Sequence, residues 1–213
     1  MPLLSGAMSA RRYRVVADFD ETGFRETLLD RLTEEAFREP LSAAKGGENY
    51  GWVTLENLCD TDFAANKVLF NQYVSFSLRI DNKRLPGKLV KALLDLRIKA
   101  WLKETGRERA PGPVKKEMLE QIELELFPRQ LPAVAVHDIC WDLTAKVVWF
   151  FSNSNKANEL FRTLFSKTFL AETRPIGPLQ LIATSKEAET WVPALDRIGY
   201  ADYRPNRRAE EPS

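Results

Sequence analysis

The sequence is short of the residues on which most active sites are built. It has one histidine, His137, and two cysteines, Cys59 and Cys140, in 213 residues. A Ser/His/Asp relay or a multi-histidine metal centre would have to recruit that single imidazole, and a lone histidine in a strand reads as structural. Neither cysteine has a second Cys or His at metal-ligand spacing. Both fall in apolar or strand-like stretches and read as buried thiols. No Gly-x-Gly-x-x-Gly or Gly-Lys-Ser/Thr loop occurs, and the pair Gly46-Gly47 lacks its context, so no nucleotide cofactor is expected. The longest apolar runs, such as residues 147–151 and 133–136, fall far short of the roughly 20 residues needed to cross a bilayer. In residues 1–14 the arginines follow the brief apolar patch instead of preceding it, the wrong order for a secretory signal, so a cytoplasmic protein is expected.

Net charge is also scarce, +1 over the whole chain, but it is unevenly spread. Residues 81–116 carry eleven basic side chains (Lys83, Arg84, Lys88, Lys91, Arg97, Lys99, Lys103, Arg107, Arg109, Lys115 and Lys116) against Asp81, Asp95, Glu104 and Glu108. That segment is +7 and leaves −6 for the remainder.

Strand composition at residues 13–19 precedes helical spacing through Phe24, Leu28, Leu32 and Phe37, and Pro40 ends that helix. Residues 52–55 read as a short strand. Val74, Phe76, Leu78 and Ile80 alternate with Ser75, Ser77, Arg79 and Asp81, which predicts a strand with one wet face. Pro86, placed as a first helical residue, opens a helix to about Lys103, and Gly106, Pro111 and Gly112 separate it from a second helix that stops before Pro128. Residues 134–141 and 146–152 form a predicted hairpin about Asp142, followed by a helix from Asn155 to Phe169. Leu179 to Ala183 reads as a strand, and Thr184 with Glu187 as a capping box for a last helix containing Trp191. The irregular order favours an α+β fold, antiparallel sheets with packed helices. The expected organisation is a flexible segment 1–12, an α+β lobe 13–128 that includes the basic helices, a second α+β lobe 129–203, and a disordered tail 204–213.

On a helical wheel Lys91, Asp95, Lys99 and Lys103 fall within roughly 60° of Lys88, and Leu89, Val90, Leu93, Leu94 and Trp101 lie opposite. A solvated lysine face is ordinary, and the pattern alone does not separate it from a phosphate-tracking one. Lys115 and Lys116 in the first turn of the next helix oppose its macrodipole, which a nearby phosphate would relieve. Arg97 falls among the apolar residues and calls for a carboxylate partner.

Several stretches in order, Gly51-Trp52-Val53, Leu85-Pro86 with Val90-Lys91-Ala92-Leu93, Leu126-Phe127-Pro128-Arg129, Trp141-Asp142 and Ser154-Asn155-Lys156-Ala157, resemble the RdgC family of bacterial recombination-associated proteins. The resemblance runs from about Tyr13 to Trp191. It implies RdgC-like lobes and a homodimer closed into a ring with a basic inner surface, binding duplex DNA without sequence preference and obstructing the RecA recombinase. Lys91 and Arg129 match basic family positions. Leu131 stands where the family pattern carries an aromatic residue suited to an interface, so a contact there would be weaker or different. Longer family members continue beyond the match into a C-terminal region, so the chain reads as a short form, which leaves ring closure through that region open.

The leading reading is therefore a non-enzymatic, sequence-nonspecific duplex-DNA-binding protein, nucleoid-associated, with Lys83, Arg84, Lys88, Lys91, Lys99, Lys103, Arg107, Arg109, Lys115, Lys116 and Arg129 on the DNA, Leu131 at the interface, and neither catalytic residues nor metal. No helix-turn-helix, zinc-finger or RNA-recognition signature suggests base reading. The alternatives are a protein-interaction module of the recombination machinery and a magnesium-dependent nuclease. The latter would draw on Asp18, Asp20, Asp138 and Asp142, which lie in no metal-binding spacing. Trp149, Phe150 and Phe151 read as a buried strand rather than a base-stacking platform.

Overall fold

Seven strands pair antiparallel into one continuous sheet, and the computed structural model shows what covers each of its faces. It describes Leu3 and residues 8–16, 21–39, 48–183, 185 and 188–195. In chain order the elements are β1 (Arg11–Val16), α1 (Glu21–Glu34), β2 (Glu48–Val53), α2 (Ala65–Val68), β3 (Leu69–Phe70), β4 (Tyr73–Asn82), α3 (Gly87–Thr105), α4 (Gly112–Leu126), β5 (Ala133–Asp142), β6 (Val147–Phe150), α5 (Asn155–Phe169), β7 (Glu172–Pro175), α6 (Pro178–Ala183) and α7 (Ala188–Leu195). The strand order is β2-β4-β5-β6-β1-β7, with β3 also on β4. The fold is α+β, as the irregular order of elements predicts.

The sheet takes strands from both sides of Pro128. β4 and β5 pair over their full lengths, from Tyr73↔Asp142 to Asn82↔Ala133, so strands that precede and follow Pro128 belong to one sheet. The chain divides into compact units at Met1–Pro175 and Ile176–Ser213. Of the expected N-terminal segment only Leu3 and residues 8–12 are described, with Arg11 and Arg12 already in β1, and the tail 204–213 lies outside the described residues.

One face of the sheet is apolar and carries the core. Tyr13 and Val15 of β1, Trp52 of β2, Val74, Phe76 and Leu78 of β4, Ile139 and Trp141 of β5, and Val148 and Phe150 of β6 are buried beneath Phe24, Leu28 and Leu32 of α1 and Phe161, Leu164, Phe165 and Phe169 of α5. Rings interlock across the layers. Phe150 stacks on Phe161 at 4.5 Å, while Trp141 meets Phe24 and Phe165 edge-on at 5.2 and 5.0 Å. Pairs of this geometry add about 0.5–1.5 kcal/mol beyond area burial. Two polar groups that enter this layer are hydrogen-bonded across it. The Trp52 indole N–H donates to Thr168 Oγ1 at 2.8 Å, and the Tyr13 hydroxyl donates to Asn158 Oδ1 at 2.6 Å. α5 has the bounds the spacing predicts, and the Ala157 N–H donates to the Ser154 side chain at its start.

The opposite face departs from expectation. Ser75, Ser77, Arg79 and Asp81 of β4 are buried, so β4 has no wet face. The four are paired rather than solvated. Arg79 makes a bidentate pair with Asp81, both contacts at 2.8 Å, and its guanidinium lies 4.0 Å from the centre of the Phe37 ring. Ser77 donates to Asp138 Oδ1, whose Oδ2 accepts from the Leu3 N–H. Gly51 of β2 allows residues 35–37 to lie along the sheet edge. A Cβ there would sit 2.5 Å from Phe37 Cα, and the approach is held by Trp52 N–H to Glu35 O and Phe37 N–H to Trp52 O.

Two further expectations change. Cys59 is exposed, in a loop whose backbone turns at Asp60, and Cys140 is half-buried, where burial raises its thiol pKa. Residues 179–183 belong to helix α6 rather than a strand. The Gln180 side chain accepts from the Gly177 N–H, and the Leu181 N–H donates to Gly177 O, which closes a helical turn. α7 holds Trp191 as predicted, while Thr184 and Glu187 lie outside the described residues. His137 is half-buried against Phe150, and burial pushes its imidazole below the usual range.

Candidate nucleic-acid interface

The basic segment folds as one two-helix arm inserted between β4 and β5. Pro86 supplies the extended residue before α3 rather than its first helical one, and its carbonyl accepts from the Leu89 and Val90 N–H groups. Gly106, at φ 64°, ends α3 in the left-handed conformation that glycine adopts without strain. Pro113 sits in the first turn of α4, and a 3-10 turn over Phe127–Arg129 returns the chain to β5. Val90, Leu93, Leu94, Ile98 and Trp101 are half-buried; no residue of α3 is buried, and of α4 only Ile122 is. Arg97 has the carboxylate its position calls for. It reaches Glu125 of α4 at 2.6 Å and holds that carboxyl below its usual pKa.

The sequence-nominated cations all fall on this arm and its two roots. Lys88, Lys91, Lys99 and Lys103 are exposed on α3, Arg107 and Arg109 on the connection, and Lys115 and Lys116 on the first turn of α4. Lys83 and Arg84 stand where the chain enters the arm, and Arg129 where it leaves. Lys83 Nζ donates to Phe127 O at 3.4 Å, which ties the two roots together, and the Arg107 guanidinium lies 5.8 Å from the Trp101 ring centre. Among the described residues none of the eleven forms an ion pair. Asp95, within the lysine row, pairs with neither Lys91 nor Lys99.

Charge placement on α4 runs against its dipole at both ends. Its first turn has Lys115 and Lys116 and no acid, while its last turn has Glu123 and Glu125 and no base. Each misplaced charge costs about 0.3–1 kcal/mol at low salt. The arm also exposes apolar side chains. Leu131 is 82% exposed, Leu96 63% and Leu124 56%. Between the roots lies a groove of about 540 Å³ with Leu85, Val90, Leu94, Leu119 and Phe127 along it and Lys83, Arg84 and Lys91 beside them.

The carboxylates considered for a metal are used elsewhere or lie outside the described residues, as Asp18 and Asp20 do. Asp138 binds Ser77 and Leu3. Asp142 accepts from the Ala145 N–H at 2.8 Å, the contact of a hairpin turn. Among the described residues no three His, Cys, Asp or Glu side chains gather as a metal site, and no helix is long and apolar enough to cross a membrane.

Sequence reasoning did not single out a second set of cations. Exposure alternates along β1, so Arg12 and Arg14 stand on the face opposite the core, beside Arg174 of β7. The alternation with Tyr13 and Val15 was the available signal.

A family model described as "RdgC: Putative exonuclease, RdgC" matches residues 9–193 of the chain. No curated protein sequence matches it.

Proposed function

The chain belongs to the RdgC family of recombination-associated proteins, and on that premise we propose that it binds duplex DNA without reading its sequence, gripping phosphates with the α3–α4 arm. The observation that carries this reading is the exposed row Lys88, Lys91, Lys99 and Lys103, with the other cations of the arm, none of them ion-paired among the described residues. Like charges four apart, as at Lys99 and Lys103, destabilise a helix by a few tenths of a kcal/mol, and a polyanion reverses that sign. Lysine supplies charge with little base discrimination, so these contacts position DNA without specifying it. Affinity per subunit should be about 10⁻⁴ to 10⁻⁶ M at physiological salt. A second copy docked on exposed Leu96, Leu124 and Leu131 would raise it by linking two arms. Duplex covered in this way at the nucleoid is denied to the RecA recombinase. In this reading the protein binds and does not cut, consistent with the internal pairing of Asp138 and Asp142.

The groove at the arm's roots favours a second reading, in which an acidic protein segment docks there through an apolar side chain. One experiment separates the two. Fluorescence anisotropy of labelled duplexes should show affinity falling steeply with salt and little change with sequence. Lys91→Glu/Lys99→Glu should flatten the salt slope by about 1.8, two phosphate contacts at roughly 0.9 each. Unchanged duplex binding in that variant overturns the phosphate reading and leaves the protein partner.

A further inference from the structure

The polar face of the sheet divides in two. Along β4 and at Asp138 of β5 it is closed, with Ser75, Ser77, Arg79, Asp81 and Asp138 buried, while Val134 at the start of β5 is exposed. Over β6, β1 and β7 it is open, with Arg12, Arg14, Val16, Glu172 and Arg174 exposed and Trp149 half-buried among them. The register fixes the neighbours. Arg12 lies opposite Trp149, and Arg14 lies opposite Val147 on one side and Arg174 on the other. Arg14 and Arg174 are thus like charges directly across a strand pair, an arrangement that destabilises a sheet unless an anion lies between them. Glu172 pairs with Arg174, but Arg12 and Arg14 have no acidic partner among the described residues. Of the run 149–151, only Phe150 is in the core; Trp149 presents its indole to the arginine side.

We propose that this open half of the sheet is a second nucleic-acid surface, for an extended single strand whose phosphates meet Arg12, Arg14 and Arg174 and one of whose bases stacks on Trp149. Arg12 and Arg14 stand two residues apart on one face, about 6.8 Å, a spacing suited to successive phosphates of an extended strand. A single strand offers the unpaired base faces that an indole can cover, whereas a duplex keeps them stacked on one another. The surface is separate from the arm in sequence and shares with it only the charge of the ligand.

Anisotropy with a labelled oligothymidine and a labelled duplex, on the full chain, tests this. Arg12→Gln/Arg14→Gln should flatten the single-strand salt slope by about 1.4, two contacts at roughly 0.7 each. Trp149→Leu should weaken single-strand binding on the order of tenfold while sparing the duplex, and Trp149→Phe should restore it. Should the double arginine variant melt early, Arg174→Gln at the edge strand reads the same contact. Wild-type single-strand affinity in the arginine variants, or no single-strand binding by the wild type, overturns the proposal. Loss in these variants with duplex binding untouched by Lys91→Glu/Lys99→Glu would leave this surface standing and remove the arm from the DNA.

Discussion

Replacing Gly51 by alanine tests how tightly the edge of the sheet is closed. The added methyl would sit 2.5 Å from Phe37 Cα and 2.6 Å from Phe37 N, both backbone atoms. Ordinary carbon contact needs about 3.5 Å, so residues 35–37 would have to retreat by about 1 Å. That segment cannot retreat freely, because Trp52 N–H to Glu35 O (3.1 Å) and Phe37 N–H to Trp52 O (2.8 Å) bind it to β2, and the Phe37 ring covers the buried Arg79. Two backbone hydrogen bonds weakened at about 1 kcal/mol each, with overpacking of about 1–3 kcal/mol, offset slightly by the stiffer unfolded chain, give a loss of about 3 kcal/mol. For a chain of this size that lowers the melting temperature by roughly 6–12 °C. Thermal unfolding followed by circular dichroism reads it. Gly87→Ala is the control, since a Cβ there meets nothing within 4 Å and should leave stability unchanged or slightly raised. A Gly51→Ala melting shift under about 2 °C would refute the reasoning.

Two further predictions concern charge. Asp81→Ala strands the buried Arg79 guanidinium and should cost about 3 kcal/mol in urea unfolding, whereas Arg79→Met/Asp81→Leu should cost less than that single change; additive losses would show that the pair is not coupled. Lys115→Glu/Lys116→Glu complements the α4 dipole and should stabilise the free protein by about 0.3–1 kcal/mol per site while weakening duplex binding; stabilisation with unchanged affinity would remove these lysines from the DNA contact.

The local elements were largely legible in the sequence because local signals set them. Ser154 caps α5, Asp142 turns the β5–β6 hairpin, and Gly106 stops α3. What the sequence hides is what lies over a face. The alternation in β4 identifies two faces, but only the fold brings Phe37, Leu3 and Asp138 onto the polar one, so partnered serines and an ion pair look like a wet surface until their cover is known. The same limit applies to Cys59, which the fold leaves exposed, with its sulfur 3.8 Å from the Arg79 guanidinium. The five residues 179–183 are too short a run for periodicity to separate strand from helix, and the side-chain contact from Gln180 to Gly177 decides it. In the candidate interface, the lysine row and the Arg97 partner followed from a wheel and a cost argument. The arginines of β1 did not, because their significance depends on Arg174, which is distant in sequence and adjacent in the sheet.

The arm leaves the sheet at Asn82 and returns at Ala133, and those two residues are cross-strand partners. Its ends are therefore already joined as a hairpin's would be, and the intervening length is free to vary. α3, with 19 residues at 1.5 Å each, reaches roughly 28 Å, and adding or removing one turn from both helices would change that reach by about 5.4 Å while leaving every register of the sheet intact. Because chain length enters the closure entropy only logarithmically, such changes cost the core little. Reach can thus change without refolding, so lineages that must span different partners could adjust the arm alone while the sheet stays fixed.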